Sequence, residues 1–362
     1  MLVLYNPQSS AGRKPILPMS LLALGALLEG ECDYVIVDGN LHLDPLEVLD
    51  RTIRETGATL LGVTVMPGPQ LTQATPLCRQ LKAMHPQVTI IWGGYFPTQH
   101  YEACLHSGYV DYVVRGHGEV VFKQLVAALL SGDDPTGLPG LAYRDQQTGA
   151  SKSNALAPIP SPDTLPDFPY DRIDLGRYVR KTFMGDRTLP HHSSYGCPFF
   201  CNFCAVVNMV NGRWLAQSAE RTAQVTRGLV ERWNINAVEF YDNNFFVNEA
   251  RTAEFAERIM DLGIGWWGEA RVDTLLKYSE RTWELMRDSG LRMVFLGAET
   301  GSDATLKRMN KGGTSSVGKT LDLVRKMADY GVVPELSFVL GNPPDPAADV
   351  RDTIAFIRKV KQ

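Results

Sequence analysis

The sequence lacks the features of membrane, secreted and nucleic-acid-binding proteins. In its 362 residues no uninterrupted apolar run approaches the roughly 18 residues that cross a bilayer. The first residues lack the basic segment of a signal peptide and are typical of a strand. Basic residues are not in excess, because 36 Lys and Arg face 40 Asp and Glu, for a net charge of −4. We therefore expect a cytoplasmic protein with no transmembrane segment that binds no nucleic acid.

Cysteine is also scarce, with six residues in the chain. Three of them, Cys32, Cys78 and Cys104, stand singly in the first third of the sequence. Such spacing forms no disulfide framework, which agrees with a cytoplasmic location. We interpret these three as small buried side chains.

The other three cysteines are crowded together. Cys197, Cys201 and Cys204 have the spacing C-x3-C-x2-C. A [4Fe–4S] cluster usually takes four cysteine ligands, so three would leave one iron open to bind a small molecule. Two alternatives stay open: a zinc site completed by His191 or His192, and three unrelated thiols.

The first half of the chain has no G-x-G-x-x-G after its first apolar run and no phosphate-binding loop, so a bound dinucleotide is not expected. It alternates short apolar runs with longer amphipathic ones, which predicts a doubly wound α/β domain over residues 1–135 with a parallel sheet. The predicted strands are 2–5, 34–37, 60–65, 89–92 and 109–114. The predicted helices are 19–28, 45–56, 71–84, 99–106 and 119–130, with Pro76 a possible kink in the third.

Ligands of such sheets bind beyond the carboxyl ends of the strands. Paired glycines there let the backbone approach a bulky ligand, although each turn by itself could be a tight connection and nothing more. Several such turns at one edge favour a ligand. The residues that we expect to line it are Asn6, Thr64, Met66, Gly93, Gly94, Tyr95, Gly116 and Glu119.

Residues 136–184 are rich in Pro, Gly, Ser and Asp, which predicts a linker. We interpret it as an ordered connector with a short strand at 141–144, the alternative being a disordered spacer.

The β/α alternation resumes over residues 185–362, and the cysteine loop follows the first strand, on the face where barrels carry active sites. Five strands are predicted and no sixth, so the barrel ends early. They are 192–195, 237–241, 266–270, 293–296 and 335–340, and the helices are 222–233, 252–262, 280–289, 318–330 and 349–360.

Two turns in the first half carry a resemblance. The segments Gly93-Gly94-x-x-Pro97 and Arg115-Gly116-x-Gly118-Glu119, placed before a three-cysteine loop, resemble the cobalamin-binding domain of cobalamin-dependent radical S-adenosylmethionine (SAM) enzymes. The resemblance implies a flavodoxin-like fold that holds cobalamin over the strand ends. The D-x-H-x-x-G motif of many cobalamin proteins is absent, since residues 6–12 contain no histidine, so a histidine ligand to cobalt is not expected.

The cysteine loop, with an aromatic residue before its last cysteine, is similar to the signature of radical SAM enzymes. That resemblance implies a partial TIM (β/α) barrel whose open iron is chelated by SAM. It also implies contacts with SAM. Phe203 would pack near SAM, Asp242 would bind its amino group and Arg271 would bind its carboxylate. Glu299 would bind the ribose or the amine, and the backbone at Gly341 would line the adenine.

Together the two resemblances imply an enzyme that needs a [4Fe–4S] cluster, SAM and cobalamin. The expected reaction is methyl transfer to an unactivated carbon of a small-molecule substrate, through a 5′-deoxyadenosyl radical and methylcobalamin. A low-potential electron donor such as flavodoxin or ferredoxin is the expected partner. The alternatives are a ring-forming or oxidative rearrangement enzyme similar to anaerobic porphyrin cyclases, and a non-catalytic iron–sulfur or cobalamin sensor.

Overall fold

The computed structural model describes residues 1–9, 15–311 and 314–361. The chain divides into two compact units. Unit 1 comprises Met1–Pro160 and Thr164–Tyr178, and unit 2 comprises Ser161–Asp163 and Val179–Gln362.

Unit 1 is built on a seven-stranded sheet in the order β2-β1-β3-β4-β5-β6-β7. The first five strands are parallel, and their 2-1-3-4-5 order is that of flavodoxin-like folds, which confirms the expected doubly wound architecture. The strands are β1 Leu2–Asn6, β2 Tyr34–Asp38, β3 Leu60–Thr64, β4 Thr89–Gly93, β5 Tyr112–Val114, β6 Leu141–Arg144 and β7 Ser151–Ser153.

Apolar clusters cover both faces of this sheet, which is why β1 is an unbroken buried run rather than an alternating one. Two predicted features differ in the structure. Pro76 lies inside a continuous helix, and the helix predicted at 99–106 begins at Tyr101 and is preceded by a separate short helix over Tyr95–Gln99. The helices are α1 Met19–Leu28, α2 Pro45–Thr56, α3 Pro69–Met84, α4 Tyr95–Gln99, α5 Tyr101–His106 and α6 Glu119–Ser131.

Much of the segment assigned to a linker packs on unit 1. Strands β6 and β7 form an antiparallel hairpin on β5, because the buried Leu141 and Ala142 extend the core of the sheet. Further along, the Arg172 guanidinium forms two hydrogen bonds with the Glu29 carboxylate, at 2.8 and 2.9 Å. The hairpin and this ion pair thus tie the segment to the first unit.

Unit 2 contains five parallel strands in the order β8-β11-β12-β13-β14. Sequential neighbours of this kind are typical of a partial TIM (β/α) barrel, and within the described residues there is no sixth strand. A separate antiparallel ribbon pairs β9 with β10. The strands are β8 Thr188–His191, β9 Ser194–Gly196, β10 Trp214–Ala216, β11 Ala237–Phe240, β12 Gly265–Ala270, β13 Leu291–Glu299 and β14 Val333–Phe338.

The helices of unit 2 alternate with these strands. The longer ones begin with a capping side chain, as Ser218, Asn248 and Ser279 each accept a hydrogen bond from the first turn of a helix. They are α7 Val206–Val210, α8 Ala219–Trp233, α9 Glu249–Ile259, α10 Val272–Leu275, α11 Glu280–Asp288, α12 Asp303–Arg308, α13 Val317–Asp329 and α14 Pro346–Val360.

The first strand of unit 2 was predicted at 192–195, and this was wrong by four residues. Pairing with β11 ends where the Tyr241 N–H donates to the His191 carbonyl. Beyond that point the Ser193 N–H donates to the buried Asp242 carboxylate at 2.9 Å rather than to a neighbouring strand. The chain therefore turns before β9, and the cysteine loop follows β9, in the connection that leads to β10.

The described part of the chain contains no helix that is both long and apolar enough to cross a membrane.

We predict that the core of unit 2 is sensitive to Trp266. This side chain is fully buried among Phe240, Phe245, Phe246 and Phe255, with ring centroids 5.4–6.3 Å away. The Trp266→Ala substitution should lower the free energy of unfolding by about 3–5 kcal/mol, because it leaves a large cavity. Urea unfolding followed by circular dichroism measures the change. Met260→Ala, at an exposed site, is the control, and equal effects of the two would contradict the prediction.

Candidate functional site

The cysteine loop leaves the sheet at a position that only glycine can occupy. Gly196 has φ +82°, and a Cβ there would lie 2.3 Å from the Arg213 carbonyl oxygen. The loop ends in a tight turn, in which the Cys204 N–H donates to the Cys201 carbonyl at 3.1 Å. Cys201 is buried, whereas Cys197 and Cys204 are half-buried.

Arg271 lies against this loop, directly after β12. Its Nη1 is 3.3 Å from the Cys201 Sγ, and its Nε donates to Asp273 at 3.0 Å. The guanidinium also stacks over the Phe199 ring at 4.0 Å. Arg271 thus places a positive charge beside the cysteine loop.

Two buried polar atoms near the loop have no partner among the described residues. The Asn244 Nδ2 is 3.9 Å from the Cys197 Sγ, while its Oδ1 is buried and has no partner among the described residues. The buried Ser194 hydroxyl likewise has none there. Unpaired polar atoms at this depth are costly, so they mark a place for a polar group. Sequence reasoning missed Asn244, although it lies in the same motif as Asp242.

These observations fit a [4Fe–4S] cluster. Among the described residues no three His, Cys, Asp or Glu side chains converge on one point suited to a single ion. A cluster does not require that, because each cysteine binds a different iron. His191, one candidate ligand of a zinc site, instead has its Nε2 3.4 Å from the Gln217 Oε1. Burial raises the pKa of the Cys197 thiol, while hydrogen bonds and the Arg271 charge act in the opposite direction.

Asp242, the residue expected to bind the SAM amino group, is fully buried. Its carboxylate accepts hydrogen bonds from the Ser193 N–H at 2.9 Å and from the Ser193 hydroxyl at 3.1 Å. The same hydroxyl accepts from the buried Arg251 guanidinium at 2.8 Å. Asp242 therefore already has partners that hold the chain between β8 and β9.

The Glu269 carboxyl group lies at the same edge of the sheet as Asp242. It lies on β12 between Trp267 and Arg271, and these three alternate residues face the same side of the strand. Among the described residues, no hydrogen bond or ion pair satisfies its carboxyl group. Burial raises the pKa of Glu269 to about 7, with smaller contributions from the charges of Asp242 and Glu335. A cation bound there would be stabilised by this carboxylate, so Glu269 is a candidate for the SAM amino group.

The other predicted SAM residues lie at the same strand ends. Glu299 has φ +66° and forms a buried ion pair with Lys311, and a Cβ at Gly297 would clash with both. The Gly341 N–H donates to Asp349 at 3.1 Å in the loop after β14. Phe203 is 44 % exposed, so its ring is available to pack on a ligand.

Unit 1 has a cavity of about 170 Å³ at the carboxyl edge of its sheet. Glycines make room for it: a Cβ at Gly62 would lie 2.8 Å from the Phe122 ring, and Gly94 has φ +99°. A largely apolar cavity flanked by glycine turns is typical of a ligand site. The lining includes five of the predicted residues, namely Thr64, Gly93, Gly94, Gly116 and Glu119.

Three predicted cobalamin residues lie outside this lining. Tyr95 begins α4, and Met66 is 49 % exposed after β3. Asn6 is buried, donates to Asp38 at 2.9 Å and accepts from Gln70 at 2.9 Å. The Gln70 Oε1 in turn accepts from the Met66 N–H at 2.9 Å. Asn6 therefore acts through Gln70, which fixes the backbone of the Met66 turn.

We predict that Glu269, and not Asp242, governs SAM affinity. Glu269→Gln should weaken SAM binding by about tenfold or more, because a hydrogen bond to a charged group is worth about 1.5–3 kcal/mol. Asp242→Asn should instead lower thermal stability. Equilibrium binding of SAM to the cluster-loaded protein and thermal unfolding separate the two. An Asp242→Asn protein of normal stability with no SAM affinity would contradict this assignment.

The pH dependence provides a second check on Glu269. Below its pKa of about 7 the carboxyl is neutral and cannot pair with an ammonium group, so SAM affinity should rise as the pH increases through 7. The rise should be absent in Glu269→Gln. A wild-type affinity that is flat between pH of about 6 and about 8 would contradict the prediction.

We also predict that Gln70 controls cobalamin binding. Gln70→Leu removes the acceptor of the Met66 N–H and the donor to Asn6, so cobalamin affinity should fall by about tenfold. A change in the visible spectrum of bound cobalamin should accompany the loss. Spectroscopic titration measures both effects, with the exposed Gln124→Leu as the control. Identical titrations of the two variants would contradict the role of Gln70.

Each of the two units contains a match to a known protein family. A family model of the B12 binding domain matches residues 13–126, and a model of the radical SAM superfamily matches residues 192–357. The first match contains the cavity of unit 1, and the second contains the cysteine loop and every predicted SAM residue.

Similar proteins cover nearly the whole chain. An uncharacterized methyltransferase of Pyrococcus horikoshii is 28 % identical over 347 residues, which are 95 % of this chain and 73 % of the relative. An anaerobic magnesium-protoporphyrin IX monomethyl ester cyclase of a Synechocystis strain is 27 % identical over 381 residues, covering 100 % of this chain and 72 % of that enzyme.

A solved structure shares the fold. The cobalamin-dependent SAM radical enzyme OxsB, with aqua-cobalamin bound, has a TM-score of 0.83 at 18 % identity. The match covers 98 % of this chain and 51 % of OxsB, so this chain spans about half the length of that protein. The chain therefore belongs to the radical SAM proteins that carry a B12-binding domain.

Proposed function

We propose that this protein is a cobalamin-dependent radical SAM methyltransferase that modifies an unactivated carbon of a small molecule. The observation that carries the proposal is the presence, on one chain, of a three-cysteine loop with Arg271 at its thiols and a glycine-lined cavity of B12-binding type. Proteins named as methyltransferases are among its relatives, including the Pyrococcus protein.

In unit 2 the proposed roles follow from chemistry and position. Cys197, Cys201 and Cys204 would hold a [4Fe–4S] cluster, and Arg271 would balance the charge of its thiolates. Glu269 would bind the SAM amino group. When bound, the cluster and SAM supply a hydrogen-abstracting radical, and cobalamin supplies the methyl group.

In unit 1 the chain would hold cobalamin by shape more than by charge. The cavity beside Gly93 and Gly94 would take one arm of the ligand, and the Met66 turn would lie at the strand ends. Residues 6–12 supply no histidine, so we expect no histidine ligand to cobalt from that segment.

The substrate would lie along the face of β12 that leads to the cysteine loop. The Trp267 indole N–H on this face is buried and has no partner among the described residues, so a substrate acceptor could bind there. We propose a cytoplasmic location and a low-potential electron donor such as flavodoxin or ferredoxin. The net charge of −4 argues against nucleic acid as a substrate.

Ring formation or oxidative rearrangement is the second candidate. It is favoured by the 27 % identity, over the whole of this chain, to the magnesium-protoporphyrin ester cyclase. Product mass distinguishes the two reactions, because methyl transfer adds one methylene to the substrate and ring closure does not.

Anaerobic reconstitution tests the proposal. The wild-type protein, loaded with iron, sulfide and cobalamin and then reduced, should convert SAM to 5′-deoxyadenosine and to S-adenosylhomocysteine, both measured by mass spectrometry. The variant with Ala at positions 197, 201 and 204 should lose 5′-deoxyadenosine entirely, because it cannot hold the cluster.

The matched control replaces Cys32, Cys78 and Cys104 with Ala and should keep its cluster, since burial raises the pKa of all three thiols. Full 5′-deoxyadenosine formation by the first variant would overturn the cluster assignment. A cluster-loaded, reduced wild-type protein that does not cleave SAM would favour a sensor.

A further inference from the structure

The outer side of the cysteine loop joins the end of α12 in one exposed surface. Phe200 is 51 % exposed, and a Cβ at Gly212 would lie 2.2 Å from its ring. The Asn202 Nδ2 donates to the Arg308 carbonyl at 2.6 Å, and the Asn310 Nδ2 donates to the Phe200 carbonyl at 2.6 Å. Loop and helix end are thus bound to each other through their backbones.

This surface is positive on a chain that is negative overall. Residues 187–219 and 304–311 contain no Asp or Glu, although the whole chain carries a net charge of −4. Arg213, Lys307 and Arg308 are exposed, and no ion pair joins them to a carboxylate within the described residues. We call Phe200, Asn202, Arg213, Lys307 and Arg308 the loop patch.

We propose that the loop patch docks a small acidic one-electron carrier protein that reduces the cluster. The proposal rests on the proposed function, because it requires a cluster at the three cysteines. Cys201 lies between Phe200 and Asn202 in the chain, so a carrier seated on the patch would contact both chain neighbours of a cluster ligand.

Charge and apolar contact identify the partner. Three exposed cations attract a carrier with an acidic surface and raise its rate of association. Phe200 offers a large exposed ring of the kind that anchors protein interfaces. In the reaction one electron leaves the reduced flavin or iron–sulfur centre of the carrier and lowers the oxidation state of the cluster by one. No atom or proton is transferred.

The test measures cluster reduction by anaerobic stopped-flow absorbance, with photoreduced flavodoxin and with dithionite as reductants. In the K307E/R308E variant the flavodoxin rate at low salt should fall by at least about tenfold. Dithionite should bleach the cluster to the same extent as in wild type, because this small reductant needs no docking surface. The extent of bleaching by dithionite also verifies that the variant is folded and contains its cluster.

The matched control is R358E/K359E, which reverses an exposed Arg–Lys pair in the last turn of α14. It should keep the wild-type flavodoxin rate. Added salt should slow flavodoxin reduction of the wild type and not of K307E/R308E. The single variant R213E should show a smaller loss of the same kind.

Two results would overturn the inference, and they are distinguishable. If K307E/R308E is reduced by flavodoxin at the wild-type rate while dithionite bleaches its cluster, the docking surface is wrong and the proposed function stands. If wild-type protein has no cluster that dithionite can bleach, the proposed function fails and the docking surface fails with it.

Discussion

The cysteine loop depends on one buried interaction, between the Asp242 carboxylate and Ser193. A buried carboxylate is stable only when hydrogen-bonded or paired, and Ser193 supplies both its N–H and its hydroxyl. Arg251 joins the same hydroxyl and also donates to the Gln217 carbonyl at 2.7 Å. These contacts stop β8, start the β9–β10 ribbon and so set where the three cysteines begin. A reactive metal site requires such a rigid support.

Unit 1 has a similar network of buried hydrogen bonds at its own strand ends. The buried Asp38 accepts from Asn6 at 2.9 Å and from Tyr178 at 2.8 Å, and Gln70 extends the network to the Met66 turn. In both units a polar residue that the resemblance assigns to a ligand also has hydrogen-bond partners within the chain. Asp242 and Asn6 are the two cases.

Elements with local signals were predictable. Helix α2 has the predicted bounds because Asp44 caps its first turn, Pro45 opens it and Gly57 ends it in a left-handed conformation. Strand β8 was displaced because its end depends on Asp242, 49 residues away along the chain. The helix predicted at 99–106 begins two residues later, at Tyr101, because a separate helix, α4, starts at the Gly94 turn and ends at Gln99.

The fold class, the two cofactor domains and the cysteine motif could be predicted from the sequence, because β/α periodicity, glycine turns and the C-x3-C-x2-C spacing are local patterns. The sequence also predicted that Arg271 follows a strand of the second half, and Arg271 does contact Cys201. Which carboxylates lack a partner could be read only from the folded chain. Whether Asp242 or Glu269 has a partner depends on residues distant in sequence, and burial and charge act through space rather than along the chain.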